Sequence, residues 1–354
     1  MWRINPENQQ PELLRPDYFA NVNFGRECYL PFAIKYAEAM RAVRPKALIF
    51  VELPPLEFSL TPFPEISPNV LPLAVNATHW YDGMTLFTGS WRPYFSFDTR
   101  VHRPVFGSNN VCKMHQDQLA DIKNLGIDNM HKSPTLIGEC GIPYNMNNGR
   151  SFRTGDFDQQ LAAMDHTISC LEKNMLNYTL WCYTPDNNNT QGDTWNNEDL
   201  SIYSKDQKGF YPGSIYDGCR AARAYVRPYA ECVAGQPLQN GFDLSTGRYS
   251  LVYKAGKAAE MPTEIFLPKL CFATEADINA RVSDGNFVIE EFDHWFILKY
   301  WHSDSMSQHS VEVPSTATQV PKRDPIFGCG IAAAMVAACI SLFIFFYSIS
   351  QMGV

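Results

Sequence analysis

The 354-residue chain is 45% hydrophobic and 19% charged with a formal net charge of −8, a balance that suits globular domains with cores of ordinary size. Its acidic balance, with no Lys/Arg run longer than a pair, excludes the basic footprint of nucleic-acid binding. Trp, Tyr and Phe are plentiful enough for a carbohydrate or lipid binder as well as a packed core.

The opening residues Met1-Trp2-Arg3-Ile4-Asn5-Pro6 are too polar for a signal peptide, which needs an apolar run. Residues 1–26 are rich in Pro and Asn and show no periodicity. Leu30, Ile34, Ala37 and Met40 then recur at helical spacing and predict a helix over 28–43, stopped by Pro45. Residues 47–51 form an apolar run of strand length that ends in Glu52, ahead of Pro54-Pro55. A second predicted strand, 73–78, ends in His79-Trp80-Tyr81-Asp82. The loop holding Trp91, Tyr94, Phe95 and Phe97 suits either a hydrophobic groove or a surface resting on a bilayer. A helix is expected over 111–125.

In Thr135-Leu136-Ile137-Gly138-Glu139-Cys140-Gly141-Ile142-Pro143-Tyr144 a short apolar run meets one carboxylate between two glycines. As a parallel strand it buries Leu136 and Ile137 and carries Glu139 to its carboxyl end, where α/β sheets and barrels place their chemistry. Gly138 and Gly141 remove bulk on both sides and leave room for a substrate. A plain strand with an acidic turn is the bland alternative. Leu161, Met164, Ile168 and Leu171 mark a helix beginning at Asp156. Residues 177–183, with Trp181, are a fourth strand, followed by a loop rich in Asp and Asn and a helix near 215–225. Uncharged strands alternating with amphipathic helices indicate a parallel sheet with crossovers. All four strands end in polar or aromatic residues (Glu52, His79 and Tyr81, Glu139, Trp181), which argues for one active face.

From about Gln236 the period changes to two. Tyr249, Leu251 and Tyr253 alternate with polar residues, and so does the set Trp295, Ile297, Lys299 and Trp301, with short runs at 263–267 and 311–313. This reads as a small antiparallel sandwich without an acid or base cluster. Residues 314–325 form a linker. Residues 326–350 are 25 without a charge, against about 20 needed to span a bilayer. A membrane anchor is the expectation; a buried C-terminal helix and a lipid-anchor signal are the alternatives. Lys322 and Arg323 beside the run favour main domains on the cytoplasmic side.

The ten cysteines include no Cys-x-x-Cys pair and read as buried free thiols. Cys112 and His115 stand three apart, but no second pair completes a zinc site in the sequence, so neither a metal nor another cofactor is expected.

The ordered set His79-Trp80-Tyr81-Asp82-Gly83, the Glu139 segment, Arg153-Thr154-Gly155-Asp156, Thr179-Leu180-Trp181-Cys182-Tyr183-Thr184-Pro185-Asp186-Asn187 and Gly192-Asp193-Thr194-Trp195-Asn196-Asn197-Glu198-Asp199-Leu200-Ser201 resembles glycoside hydrolase family 5. The similarity is to its fungal glucosylceramidase and steryl-β-glucosidase branch, related to endoglycoceramidases, and covers roughly residues 1–310. The resemblance implies an α/β fold of (β/α)8 TIM-barrel type with only strands five to eight present, over residues 1–234. A small antiparallel β-sandwich, the family's C-terminal domain, follows at 235–313, then the linker and a C-terminal transmembrane helix.

It also implies a retaining mechanism with two glutamates. Glu139 matches the nucleophile, His79 and Tyr81 the pair beside it, and Trp181 the aromatic platform under the sugar. Tyr81 is placed to donate a hydrogen bond to Glu139. Asp186 and Asn187 are rim candidates for sugar hydroxyls. The family's acid/base glutamate, in Asn-Glu-Pro on the fourth strand, precedes the segment matching Trp2-Arg3-Ile4 and has no counterpart. Glu52-Leu53-Pro54 mimics that motif, but it matches the fifth strand, where Glu52 is expected to line the substrate site, either too far round the barrel wall to act as the acid or pointing toward a neighbouring subsite. Two functions follow: a retaining β-glucosidase for glucosylceramide or a steryl β-glucoside, or an inactive, membrane-tethered glycolipid-binding remnant. The partners implied are a glycolipid and a membrane.

Overall fold

The computed structural model describes residues 2–18, 21–52, 64–209 and 212–315. The apolar run at 326–350 and most of the linker lie outside the described residues; among the described residues no helix is long and apolar enough to cross a membrane. In chain order the elements begin with β1 (Trp2–Ile4), β2 (Pro11–Leu13), α1 (Leu30–Val43), β3 (Ile49–Val51), β4 (Ala74–Asn76) and α2 (Gly83–Thr88). There follow β5 (Phe95–Asp98), β6 (Arg103–Phe106), α3 (Ser108–Asp128), β7 (Leu136–Cys140), α4 (Met146–Thr154), α5 (Asp158–Lys173) and β8 (Asn177–Leu180). The last part holds α6 (Ala222–Tyr225), β9 (Tyr229–Cys232), β10 (Gln236–Asp243), β11 (Arg248–Lys254), β12 (Thr263–Pro268), β13 (Arg281–Val282), β14 (Asn286–Glu291), β15 (Trp295–Trp301) and β16 (Gln308–Pro314).

The chain divides into two units, the first made of residues 1–81, 116–141 and 176–181. Its centre is a row of parallel strands in the order β3, β4, β7, β8. β3 pairs with β4 from Ile49↔Ala74 to Val51↔Asn76, and β7 pairs with β8 from Leu136↔Asn177. Between the two pairs, Asn76 bridges Thr135 in parallel, Asn76 N donates to Pro134 O at 2.9 Å and Trp80 N donates to Glu139 O at 3.0 Å. The buried Asn76 side chain donates to Ile122 O of α3 at 2.8 Å, tying that helix to the row and leaving the residue no surface at which to accept a glycan. Ile49, Val51, Ala74, Ile66, Leu71 and Met130 pack with Ala33 and Ala37 of α1. The stripe that α1 buries is thus this alanine pair, four residues apart; Met40, expected on the buried face, is exposed.

The second unit holds residues 82–115, 142–175 and 182 onward. Its sandwich has one antiparallel sheet ordered β10-β11-β16-β13 and another ordered β14-β15-β12-β9. Tyr249, Leu251, Tyr253, Ile265, Leu267, Phe296, Leu298, Tyr300, Val311 and Val313 form its core and are fully buried. On β11 the inward set is the expected one. On β15 it is the opposite one: Phe296, Leu298 and Tyr300 face the core, and Trp295 instead stacks on Phe292 with ring centroids 5.4 Å apart. Both faces of β15 are apolar, so alternation by itself does not mark its inner face.

Beside the sandwich core, buried Arg227 donates to Asp165 at 2.9 Å and stands in ion-pair contact with Glu172 at 3.2 Å on α5, and Glu172 accepts from Phe242 N of β10 at 3.1 Å. Burial pushes the Glu172 carboxyl up to about 7 despite the adjacent guanidinium. The aromatic loop differs from expectation. Phe95 is buried in the hairpin of β5 and β6, and Trp91 lies half-buried against His166, so these rings are not an open surface. The helix expected near 215–225 shortens to Ala222–Tyr225.

Candidate active site

Alternation along the segment after β4 decides what reaches the site. Trp80 is fully buried and its Nε1 donates to Gln118 at 3.0 Å on α3. Its neighbours His79 and Tyr81 therefore project to the other side of the segment. Both meet Glu139 of β7. The hydrogen bond expected from Tyr81 is present, the hydroxyl donating to Glu139 Oε2 at 2.9 Å. His79 Nδ1 lies 3.3 Å from the same oxygen and 3.2 Å from Glu52 Oε1, just beyond β3. Three strand ends thus converge on one imidazole. Glu139 is 28% exposed and Glu52 53%, so both carboxyls stay open to a ligand. Burial, and after it the charge of Glu52, raises the Tyr29 phenol above its ordinary value.

The expectation that Glu52 lies far from Glu139 fails. Two oxygens that share one nitrogen at 3.2 and 3.3 Å are at most about 6.5 Å apart, and retaining carboxyl pairs stand at about 5–5.5 Å. The two carboxyls meet through the His79 ring, which reaches from the segment after β4, the strand that lies between β3 and β7.

The glycines beside Glu139 do a different job from the one expected of them. A Cβ on Gly138 would fall 2.6 Å from Ala77 O and 3.0 Å from the His79 ring, and one on Gly141 would run into the Trp181 carbonyl oxygen. They let β4 and β8 approach β7 closely and seat His79, so the room they make is taken by the protein. Trp181 follows β8 directly, its N–H donating to Cys140 O at 2.9 Å. Burial, and then the charge of Glu139, pushes the Cys140 thiol far up, so it stays protonated beside the carboxylate.

Asp186 and Asn187 belong to the other unit. Asp186 is exposed and paired with Lys205 Nζ at 2.6 Å, which holds its carboxyl below the usual range. Asn187 is wholly buried, so it is no rim residue: its amide donates to Asp193 at 2.8 Å and Asp199 at 3.0 Å. Arg220 binds Asp199 at 2.6 Å in the same buried network. The polar loop spends these side chains on its own shape. Sequence reading also overlooked His166 and Cys170, a pair four apart on α5 beside Cys112 and His115. Their helical spacing was the available signal, but only the packing of α3 against α5 joins the two pairs.

The family model of the glycoside hydrolase family 5 C-terminal domain matches residues 227–313. The glucosylceramidase of Aspergillus fumigatus is 29% identical over 384 residues, covering 85% of this chain and 50% of its own. Sterylglucosidase 1 of Cryptococcus neoformans is similar in structure with a TM-score of 0.77 at 29% identity, over 87% of this chain and 48% of that one. Endo-glycoceramidase II from Rhodococcus sp., at 13% identity and a TM-score of 0.55 over 83% of this chain and 56% of its own, shares the fold. The chain spans about half the length of the curated relatives it matches.

Proposed function

We propose, from the premise that this chain belongs with the family 5 glycoside hydrolases of the fungal glucosylceramidase and sterylglucosidase branch, that Glu139 is the nucleophile of a retaining β-glucosidase. Its substrate is a glycolipid, glucosylceramide or a steryl β-glucoside. The observation that carries this reading is a carboxylate at the end of a parallel strand, held at Oε2 by the Tyr81 hydroxyl and beside His79. Held there, it presents Oε1 to the anomeric carbon. The bond to the aglycone oxygen breaks, that oxygen takes a proton from a second carboxyl group, and water then releases the sugar from the glycosyl-enzyme. Trp181 supplies the apolar platform for the sugar ring.

In this reading residues 1–234 contribute strands five to eight of a (β/α)8 barrel. Supporting this, no strand pairs with the outer edge of β3 or β8 among the described residues. One observation favours a second reading: the shared contact of Glu52 and Glu139 with His79 puts Glu52 within reach of the acid's role.

One experiment separates these possibilities. Glu139→Gln keeps the shape and loses the attacking charge, so kcat/KM should fall on the order of 10⁴-fold or more, and a fluoroglycoside inactivator should label Glu139 of the native protein. Near-normal turnover, or a label elsewhere, ends the assignment; no label at all leaves the inactive remnant. If Glu52 is the acid, Glu52→Gln loses glucosides with poor leaving groups by roughly 10²–10⁴-fold, spares activated aryl glucosides, and azide restores turnover. A residue that only lines the substrate site affects both substrate types alike.

The apolar run at 326–350 is read as a membrane anchor, with the catalytic residues on the cytoplasmic face. Retention in the membrane pellet after alkaline carbonate extraction is expected. Release into the soluble fraction sinks the anchor, and a glycan on Asn188, which opens the Asn-x-Thr sequon Asn188-Asn189-Thr190, sinks the orientation.

A further inference from the structure

Helix α3 carries Cys112 and His115 three residues apart, and α5 carries His166 and Cys170 four apart, so each pair shares one face of its helix. The two faces meet. Ligand atoms of Cys112, His166 and Cys170 lie within 4.8 Å of one another. His166 Nε2 is 3.7 Å from Cys170 Sγ and 2.8 Å from His115 Nδ1. None of these residues takes part in the chemistry assigned to Glu139. The expectation that Cys112 and His115 lack a second pair therefore fails at the level of tertiary structure.

We propose that Cys112, His166 and Cys170, closed by His115, bind a zinc-class divalent cation that staples α3 to α5. Two thiolates with two imidazoles are the donor set such an ion selects. On a tetrahedral zinc, a sulfur and a nitrogen ligand stand roughly 3.6 Å apart and two nitrogens roughly 3.3 Å, given bonds of about 2.3 and 2.0–2.1 Å. The His166–Cys170 separation already matches and the two imidazoles need to part by about half an ångström, while His115 stands outside the trio whose ligand atoms all lie within 4.8 Å of one another and closes the set by moving toward the two thiols.

A second layer stands behind the ligands. Asp82 Oδ1 lies 3.7 Å from His115 Nε2, and the carboxylate is fixed as the N-cap of α2 by Thr85 N at 3.3 Å and Thr85 Oγ1 at 2.5 Å. A carboxylate behind a histidine orients its ring toward a metal and raises its basicity. The Trp91 ring covers His166 with centroids 4.8 Å apart, and His115 and Cys170 are buried. Four protein donors leave no open position for a substrate, so the role is structural. The competing state is a metal-free cluster in which the same thiols and imidazoles only hydrogen-bond, or in which Cys112 and Cys170 oxidise to a disulfide.

The test is metal analysis of the chain purified without chelator, followed by cobalt(II) titration of the stripped protein. We expect one zinc per chain. Cobalt should produce the strong visible bands of a tetrahedral site and thiolate-to-cobalt charge transfer. Cys170→Ser should weaken the charge-transfer band. Asp82→Asn, which still caps α2, should lower zinc affinity about 10–100-fold. Cys232→Ser, at an exposed thiol, should leave the cobalt spectrum unaltered. A folded native chain that holds no zinc and yields no tetrahedral cobalt bands overturns the proposal. So does a Cys112–Cys170 disulfide in its non-reduced peptide map, or an unchanged cobalt spectrum in Cys112→Ser. The native spectrum decides the matter even if the cysteine variants fail to fold.

Discussion

In the sandwich, the aromatic and aliphatic residues of β11, β15 and β16 that face inward are fully buried. Beside the parallel row the opposite holds: α1 leaves Phe32 63% and Val43 89% exposed, with Tyr36 and Met40 between them on the same stripe, and β3 exposes Phe50. The difference follows from topology. An antiparallel sandwich closes its core with hairpins and short crossovers from one stretch of chain, so residues 227–315 bring their own partners. A strand of a parallel barrel is covered on both faces, and paired on both edges, only when the whole ring is present.

The two regions should therefore answer mutation differently. The largest effect belongs to the sandwich core. Leu251→Ala removes a fully buried side chain between two sheets and should cost about 2–5 kcal/mol, read as a lower urea midpoint for loss of the sandwich's β signal. A cost below about 1 kcal/mol would mean that the core is looser than its burial implies.

The next effect depends on pH. The folded carboxyl of Glu172 titrates about 7, above its ordinary 4.5, so between those values the folded chain holds a proton that the unfolded chain has released. The stability tied to this group is present below about 4.5 and lost as pH rises through about 7, by up to about 3 kcal/mol. Unfolding curves for Glu172→Gln should lack that slope. A native slope of the opposite sign in this window would remove Glu172 as its source.

The smallest effect is expected on α1. Phe32→Ser changes a ring already in water, so the melting midpoint should move by an amount worth less than about 0.5 kcal/mol while solubility improves. A loss of several kcal/mol would show that something already covers this stripe and would break the contrast.

Much of this was legible before any coordinates. Apolar runs of strand length placed β3, β4 and β7 within a residue or two and β8 at its first residue, because a strand buried on both faces reads as a continuous apolar segment. Helical spacing placed the start of α5 within two residues and the body of α3, which runs three residues further at each end. The His79-Trp80-Tyr81 triplet also followed from local order, since period two forces the residues flanking a buried Trp to the opposite side. The inner face of β15 escaped alternation because its outer face also carries Trp295, Ile297 and Trp301, and on α1 the expected Leu30 and Ala37 do meet the core while Met40 is exposed and Ala33 takes part instead.

What the chain order determined by itself was the identity of the strand ends, and with them Glu139, Tyr81 and His79, because backbone periodicity and strand direction are local properties. Three things were decided only by tertiary structure. Glu52 came close to Glu139 through the His79 ring that both carboxyls touch. The glycines beside Glu139 turned out to seat His79 and the Trp181 backbone. Cys112 and His115 found their partners across a helix pair, more than fifty residues downstream. Each depends on distances between segments far apart in sequence, which spacing along the chain does not encode.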